Sequence, residues 1–166
     1  MDYYQGVVYD YLQQCDAAMF IKAECPIQLE RAKMPPKGTS WICDAMAINI
    51  REHTVYLCEV SYSKTLHALV RRLEAWSREW PKLCNAIVRD YLLSESEPVP
   101  WRFQPWVFVP ETLRPTLTQR LAALASSSSS AGTDVMPAPK VYSFEEVGPW
   151  NFTPYNLTPR FTKPDA

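Results

Sequence analysis

The sequence has no long hydrophobic run, no closely spaced cysteine pair and almost no net charge. Each absence excludes something. Without about 20 consecutive apolar residues, no segment reads as a membrane-spanning helix. The five cysteines, Cys15, Cys25, Cys43, Cys58 and Cys84, form no C-x-x-C pair and meet no histidine cluster, so a zinc site is not expected. Their odd number and apolar neighbours fit reduced thiols, and a cytoplasmic protein is the expectation. The opening residues, MDYYQGVVYDYLQQ, lack the charged-then-apolar layout of a signal peptide. A net charge of −1 supplies no general basic field for nucleic acid, so any such site has to be a local patch. Glycine-rich phosphate loops, G-x-S-x-G and a Cys-His nucleophile pair are missing too.

What remains is 166 residues, 47% hydrophobic and 21% charged, which suits one globular domain. There are fifteen prolines, and eleven of them crowd into the second half. Residues 1–125 read as an α/β domain. Residues 126–140, with SSSSSAGT and MPAPK, read as a linker or surface loop. Residues 141–166 are rich in aromatics and proline with little periodicity, and are expected to lie extended along a surface as an irregular tail.

Tyr4, Val8, Tyr11 and Leu12 recur at helical spacing, which predicts a first helix over residues 2–14. AAMFIKAECPIQL predicts a strand, and ERAKMPPKGTS a loop. Two strands follow, Trp41 to Ile50 and Thr54 to Tyr62, joined by a tight turn near Arg51 to His53. Ser63 is the expected N-cap of a helix with Leu66, Leu69, Val70, Leu73 and Trp80 as its apolar stripe. Pro81 breaks or restarts that helix as PKLCNAIVRDYLL. PVPWRFQPWVFVP is a strand whose Pro105 suggests an edge or bulge, and ETLRPTLTQRLAAL is a last helix.

Two of these strands look like core, yet each carries an acid. Asp44, Met46, Ile48 and Ile50 share one face; Val55, Leu57, Glu59 and Ser61 share a face of the next strand. A two-residue turn at Arg51 and Glu52, or a four-residue turn from Ile50 to His53, sets Asp44 opposite Glu59. Directly opposed Cβ atoms lie about 5 Å apart. Like charges that close repel unless one is protonated or a cation lies between them. Oxygen donors of this kind suit Mg²⁺ or Mn²⁺. The alternative is that the two acids meet water at strand ends or pair with a nearby Arg or Lys.

The pattern resembles the PD-(D/E)XK nuclease superfamily, the restriction-endonuclease-like fold. That core runs α-β-β-β-α-β, with an Asp opening the second strand and (Asp/Glu)-x-Lys on the third. CDAMAINI is similar to the Asp strand, with Cys43 in place of the usual Pro, and VYLCEVSYSK to the E-x-K strand. In element order the resemblance spans roughly residues 2 to 109. It implies an α/β restriction-endonuclease-like domain that cleaves DNA phosphodiesters with a metal. Asp44, Glu59 and the Val60 carbonyl would hold Mg²⁺ or Mn²⁺. Ser61 stands at the lysine position, and a serine supplies no positive charge. Lys64 or Lys22 is the candidate replacement, and Gln5 falls where the family's first helix often has an acid. His67 lies one turn beyond Lys64. Arg71, Arg72 and Arg78 either meet phosphates or form a solvated face with Glu74 paired to Arg78. Two rival readings follow from Ser61, Gln5 and the tail. One is a catalytically inactive nuclease fold acting as a DNA-binding or scaffold subunit. The other is an interaction module of a phage or mobile element, engaging a protein partner through the tail. No membrane is involved in any of them.

Overall fold

Each strand alternates between two apolar faces, and the helices divide between those faces. The computed structural model describes residues 2–15, 19–30, 41–92, 100–127 and 135–148. Its elements are α1 (Tyr3–Cys15), β1 (Met19–Pro26), β2 (Ile42–Asn49), β3 (Thr54–Val60), α2 (His67–Arg78), α3 (Trp80–Tyr91), β4 (Arg102–Val109), a 3₁₀ turn (Glu111–Leu113), α4 (Arg114–Ser127), β5 (Lys140–Ser143) and α5 (Phe144–Val147). The five strands form one mixed sheet in the order β1-β2-β3-β4-β5. β1, β2 and β3 are antiparallel neighbours, while β3–β4 and β4–β5 are parallel. A parallel pair needs a crossover, and α2, α3 and α4 supply the helices for both.

Met46, Val55, Leu57, Val107 and Val109 face one side, against Leu69, Leu73 and Trp76 of α2, Leu83 and Ile87 of α3 and Leu117 of α4. Their neighbours Ala45, Ala47, Cys58, Trp106 and Phe108 face the other side, against Val8 and Leu12 of α1 and Phe144 and Val147 of α5. The molecule is therefore a three-layer α/β structure. Its hairpin register is the one the turn count gives, from Asn49 opposite Thr54 to Ala45 opposite Cys58. A four-residue turn closes it, with His53 N–H donating to Ile50 O at 3.4 Å.

Several local expectations are corrected. Helix α2 opens at His67, not after Ser63. Leu66 takes a left-handed φ of 55° there, and its N–H bonds Ser63 O. That kink places the Leu66 side chain in the core, 1% exposed, and burial of a leucine outweighs the serine cap. Pro105 is not on an outer strand, because β5 covers β4. It does lie just ahead of the covered stretch, since β5 pairs only from Trp106 to Val109. The ring's missing N–H thus falls where β4 has no partner on that side. Val141–Ser143 is strand rather than irregular tail, and Ser143 caps α5 in a reciprocal box with Glu146. The expected linker begins inside α4, which runs through Ser127. Residues 128–134 of that linker, 149–166 of the tail with Trp150, and the loop over 31–40 lie outside the described residues. Among the described residues, no helix is long and apolar enough to cross a membrane.

Candidate functional site

Glu59 sits on β3 on the side covered by α2, and is 1% exposed. The β2–β3 ladder stops at Ala45 and Cys58, one step short of Asp44. There the Asp44 carboxylate takes over from the backbone. Its Oδ2 accepts the Val60 N–H at 2.8 Å. The two acids converge, and a guanidinium lies against both. Arg72 Nη1 donates to Glu59 Oε2 and lies 3.7 Å from Asp44 Oδ1.

Burial pushes the Glu59 carboxyl well above its ordinary value, the Asp44 charge pushes it further, and Arg72 opposes both. Burial raises Asp44 too, against the pull of the Val60 N–H and Arg72. Burial acts to lower Arg72, and the two carboxylates overcome it and hold the guanidinium charged. Two carboxylates and one guanidinium carry a net negative charge in a place that solvates it poorly. A shared proton removes it. The hydrogen bonds agree. As a carboxylate, Glu59 would leave Oε1 buried and facing no donor. The Asp44 and Glu59 carboxyls lie within side-chain hydrogen-bonding reach of each other, so a proton on one can be shared with the other.

The other expected site residues are placed as follows. Ser61 is half-buried, and its N–H extends the β3–β4 ladder to Phe108 O at 2.9 Å. Lys64 is exposed in the turn before α2, and His67 and Arg71 are exposed on α2. Lys22 is exposed on β1, its Nζ 4.8 Å from the centre of the Tyr91 ring. Gln5 is committed to capping α1: Asp2 N–H donates to Gln5 Oε1 and Gln5 N–H to Asp2 Oδ1, both at 2.9 Å. It also borders a cavity of about 10 Å³ with Asp44, Glu24 and Val60. Arg78 is exposed on the rim of a groove of about 600 Å³ between α2, α4 and residues 135–141, which touches neither acid.

Arg72 is the correction to the basic helix face. It neither meets phosphates nor joins Arg71 and Arg78 on a solvated face, but turns inward. The periodicity carries the signal: Arg72 lies three residues after Leu69 and four before Trp76, both buried, so it flanks the inner stripe. A second group, also not anticipated, is a ladder of rings at the same end of the sheet. Tyr62 stacks on Tyr4 at 5.1 Å and Tyr4 on Phe144 at 4.8 Å, with Tyr3 edge-on to Tyr4.

The donor set bears on Mg²⁺ or Mn²⁺. Mg²⁺ wants near-octahedral oxygen and keeps several waters. Asp44, Glu59 and the Val60 carbonyl offer three protein oxygens, but Arg72 already supplies the balancing positive charge. The adjoining cavity is at the lower bound for one water. A hydrated divalent ion fits only with Arg72 moved aside. Among the described residues, no three His, Cys, Asp or Glu side chains gather as a metal site. Burial raises the Cys43 and Cys58 thiols well above the usual thiol value, which leaves them poor nucleophiles. Comparison with known protein families, curated proteins and solved structures gives no match.

Proposed function

We propose that the chain is a nuclease-like α/β module that works by binding rather than by cutting. The element order α-β-β-β-α-β and the acid pair on β2 and β3 support the kinship with restriction-endonuclease-like domains. One observation carries the loss of cutting: Arg72 occupies the charge-balancing position between Asp44 and Glu59. The helix that would bring a basic residue to a scissile phosphate spends that residue on the acids. With Ser61 where the family has Lys, no lysine among the described residues pairs with Asp44 or Glu59; only Arg72 does.

A second reading, a Mg²⁺- or Mn²⁺-dependent DNA endonuclease, is favoured by the convergence itself. Two carboxylates and the Val60 backbone meet at one end of a hairpin, as that family requires. The test is direct. Purified protein is mixed with duplex, single-stranded and branched DNA, with either ion and with chelator, beside Glu59→Ala and Ser61→Lys. The binding reading expects intact DNA from the wild type throughout and no calorimetric heat from either ion. Ion-dependent cleavage by the wild type that Glu59→Ala abolishes would overturn it and establish the endonuclease.

A further inference from the structure

The ladder of rings beside the acid pair is built outward. Phe144 is buried, Tyr4 is 38% exposed and Tyr62 is 54% exposed. Tyr62 and Tyr4 are inclined by 29°, and Tyr4 and Phe144 by 24°, so the three planes form a near-parallel stack that ends in solvent at Tyr62. Tyr3, 68% exposed, stands edge-on beside it. Exposed aromatic rings are costly to leave wet, and monomeric surfaces rarely group them without a use. Tyr62 begins an exposed stretch that includes a lysine. Lys64 follows within two residues, and His67 and Arg71 lie one turn apart on the outer face of α2. Arg120 of α4 reaches the same turn, its Nη1 donating to Thr65 O at 2.9 Å. Asp2 at the start of α1 and Glu145 on α5 are exposed as well. An exposed, near-parallel ring stack followed in the chain by the exposed Lys64 and Arg71 matches one kind of partner. Its flat groups are unpaired and free to stack, and its anions run along one edge.

We propose that Tyr62, Tyr4 and Tyr3, with Lys64, His67 and Arg71, form a landing surface for single-stranded nucleic acid, bases stacked outward from Tyr62 and phosphates along the start of α2. The proposal rests on the reading of this chain as a binding module, and it supplies that module's partner. Duplex is disfavoured because its bases are already stacked on one another and present no free face. DNA and RNA share this chemistry, and the assay has an arm for each.

The experiment is fluorescence anisotropy with the full chain in chelator, using labelled oligo(dT), oligo(U) and a duplex of equal length. The expected result is binding of one or both single strands in preference to duplex. Tyr62→Ala weakens it about 5- to 150-fold, the equivalent of about 1–3 kcal/mol for one stacked base. Tyr62→Phe, which keeps the ring, binds as the wild type does. Lys64→Ala and Arg71→Ala each lower the salt dependence of affinity by about one phosphate contact. Tyr62 and Lys64 are exposed, so these variants fold. Absence of single-strand binding at low salt, preference for duplex, or unchanged affinity in Tyr62→Ala would each overturn the proposal. So would a wild type that sediments as an oligomer and a Tyr62→Ala that does not, for the rings would then serve a second copy of the chain. Cleavage of the oligonucleotide on later addition of Mg²⁺ would overturn the binding-only reading and leave the stacking result in support of the surface.

Discussion

Two arginines in this protein each hold two carboxylates, and the clusters have opposite electrostatics. Arg72 meets Glu59 and Asp44 inside the fold. Arg114 meets Glu146 at 2.6 Å and Glu111 at 3.4 Å in water, with side chains 35%, 45% and 53% exposed. The composition is the same: one guanidinium and two carboxyls. Yet Glu59 is raised well above its ordinary value, chiefly by burial, while Glu146 is lowered by the Ser143 backbone N–H and by Arg114. Burial decides the sign. In water a second carboxylate is tolerated. In the core, one arginine cannot offset two desolvated charges, and a proton makes up the difference.

The largest break in that comparison is Arg72→Met. It leaves two acids in the core with no cation, and removing one member of a buried ionic group typically costs about 3–5 kcal/mol. Urea unfolding at neutral pH reads this as a fall in the midpoint with an unchanged slope. Adding Glu59→Leu and Asp44→Asn to Arg72→Met should recover most of the loss, because the whole ionic group is then gone. A single Arg72→Met that costs under about 1 kcal/mol would mean the guanidinium is not what holds the acids.

The pH dependence sharpens the same contrast. Glu59 has its folded-state pKa raised above the unfolded value near 4.5, so the fold keeps a proton that the unfolded chain has released. Stability from this group is full below about 4.5 and declines as pH rises toward the folded value. Asp44, also raised, adds in the same direction. Glu146 is lowered, so its contribution is present above the unfolded value and is lost as pH falls through the folded one. Thermal melts across the acid-to-neutral range should show Glu59→Gln reducing the decline to the part that Asp44 contributes, and melting higher at neutral pH. Glu146→Gln should lose stability there instead. If Glu59→Gln follows the wild-type profile, the proton on Glu59 is not part of the fold.

Smaller still is the effect of Ser143→Ala. The serine hydroxyl accepts the Glu146 N–H at 3.1 Å, and the Glu146 carboxylate accepts the Ser143 N–H at 2.9 Å. Losing a cap of this kind costs about 1 kcal/mol. The melting temperature checks it, with Ser143→Thr expected to restore most of the loss. An unchanged melting temperature in Ser143→Ala would show that α5 is held by Phe144 and Val147 alone.

How much of this could be read beforehand differs by residue. The convergence of Asp44 and Glu59 was legible because a short hairpin fixes its own register. That an arginine or lysine could pair with them was legible as an alternative, but which one was not. Arg72 belongs by charge with Arg71 and Arg78, and only its offset from Leu69 and Trp76 sets it apart. The start of α2 misled because Ser63 is a sound cap locally, and the burial of Leu66 that overrides it is tertiary. Strand β5 gave little local signal. Four residues after a proline-rich run acquire strand geometry only by pairing with β4. The ring ladder was hidden for the same reason, since Tyr4, Tyr62 and Phe144 are far apart in the chain.

The smallest effect expected is that of Arg114→Ala, and its smallness tests the comparison from the other side. The Arg114 guanidinium raises no desolvation problem, and its removal leaves Glu111 and Glu146 to water, which solvates them well. Glu146 also keeps the Ser143 N–H. A slight fall in melting temperature at low salt is expected. It should vanish near about 1 M salt, where the Debye length is about 3 Å. Arg72→Met should show far less rescue, because Glu59 is buried and Asp44 only 17% exposed, so salt screens that site weakly. Should Arg114→Ala prove as damaging as Arg72→Met, and be equally indifferent to salt, then burial is not what separates the two clusters. A proton shared between Asp44 and Glu59 would then have no physical cause.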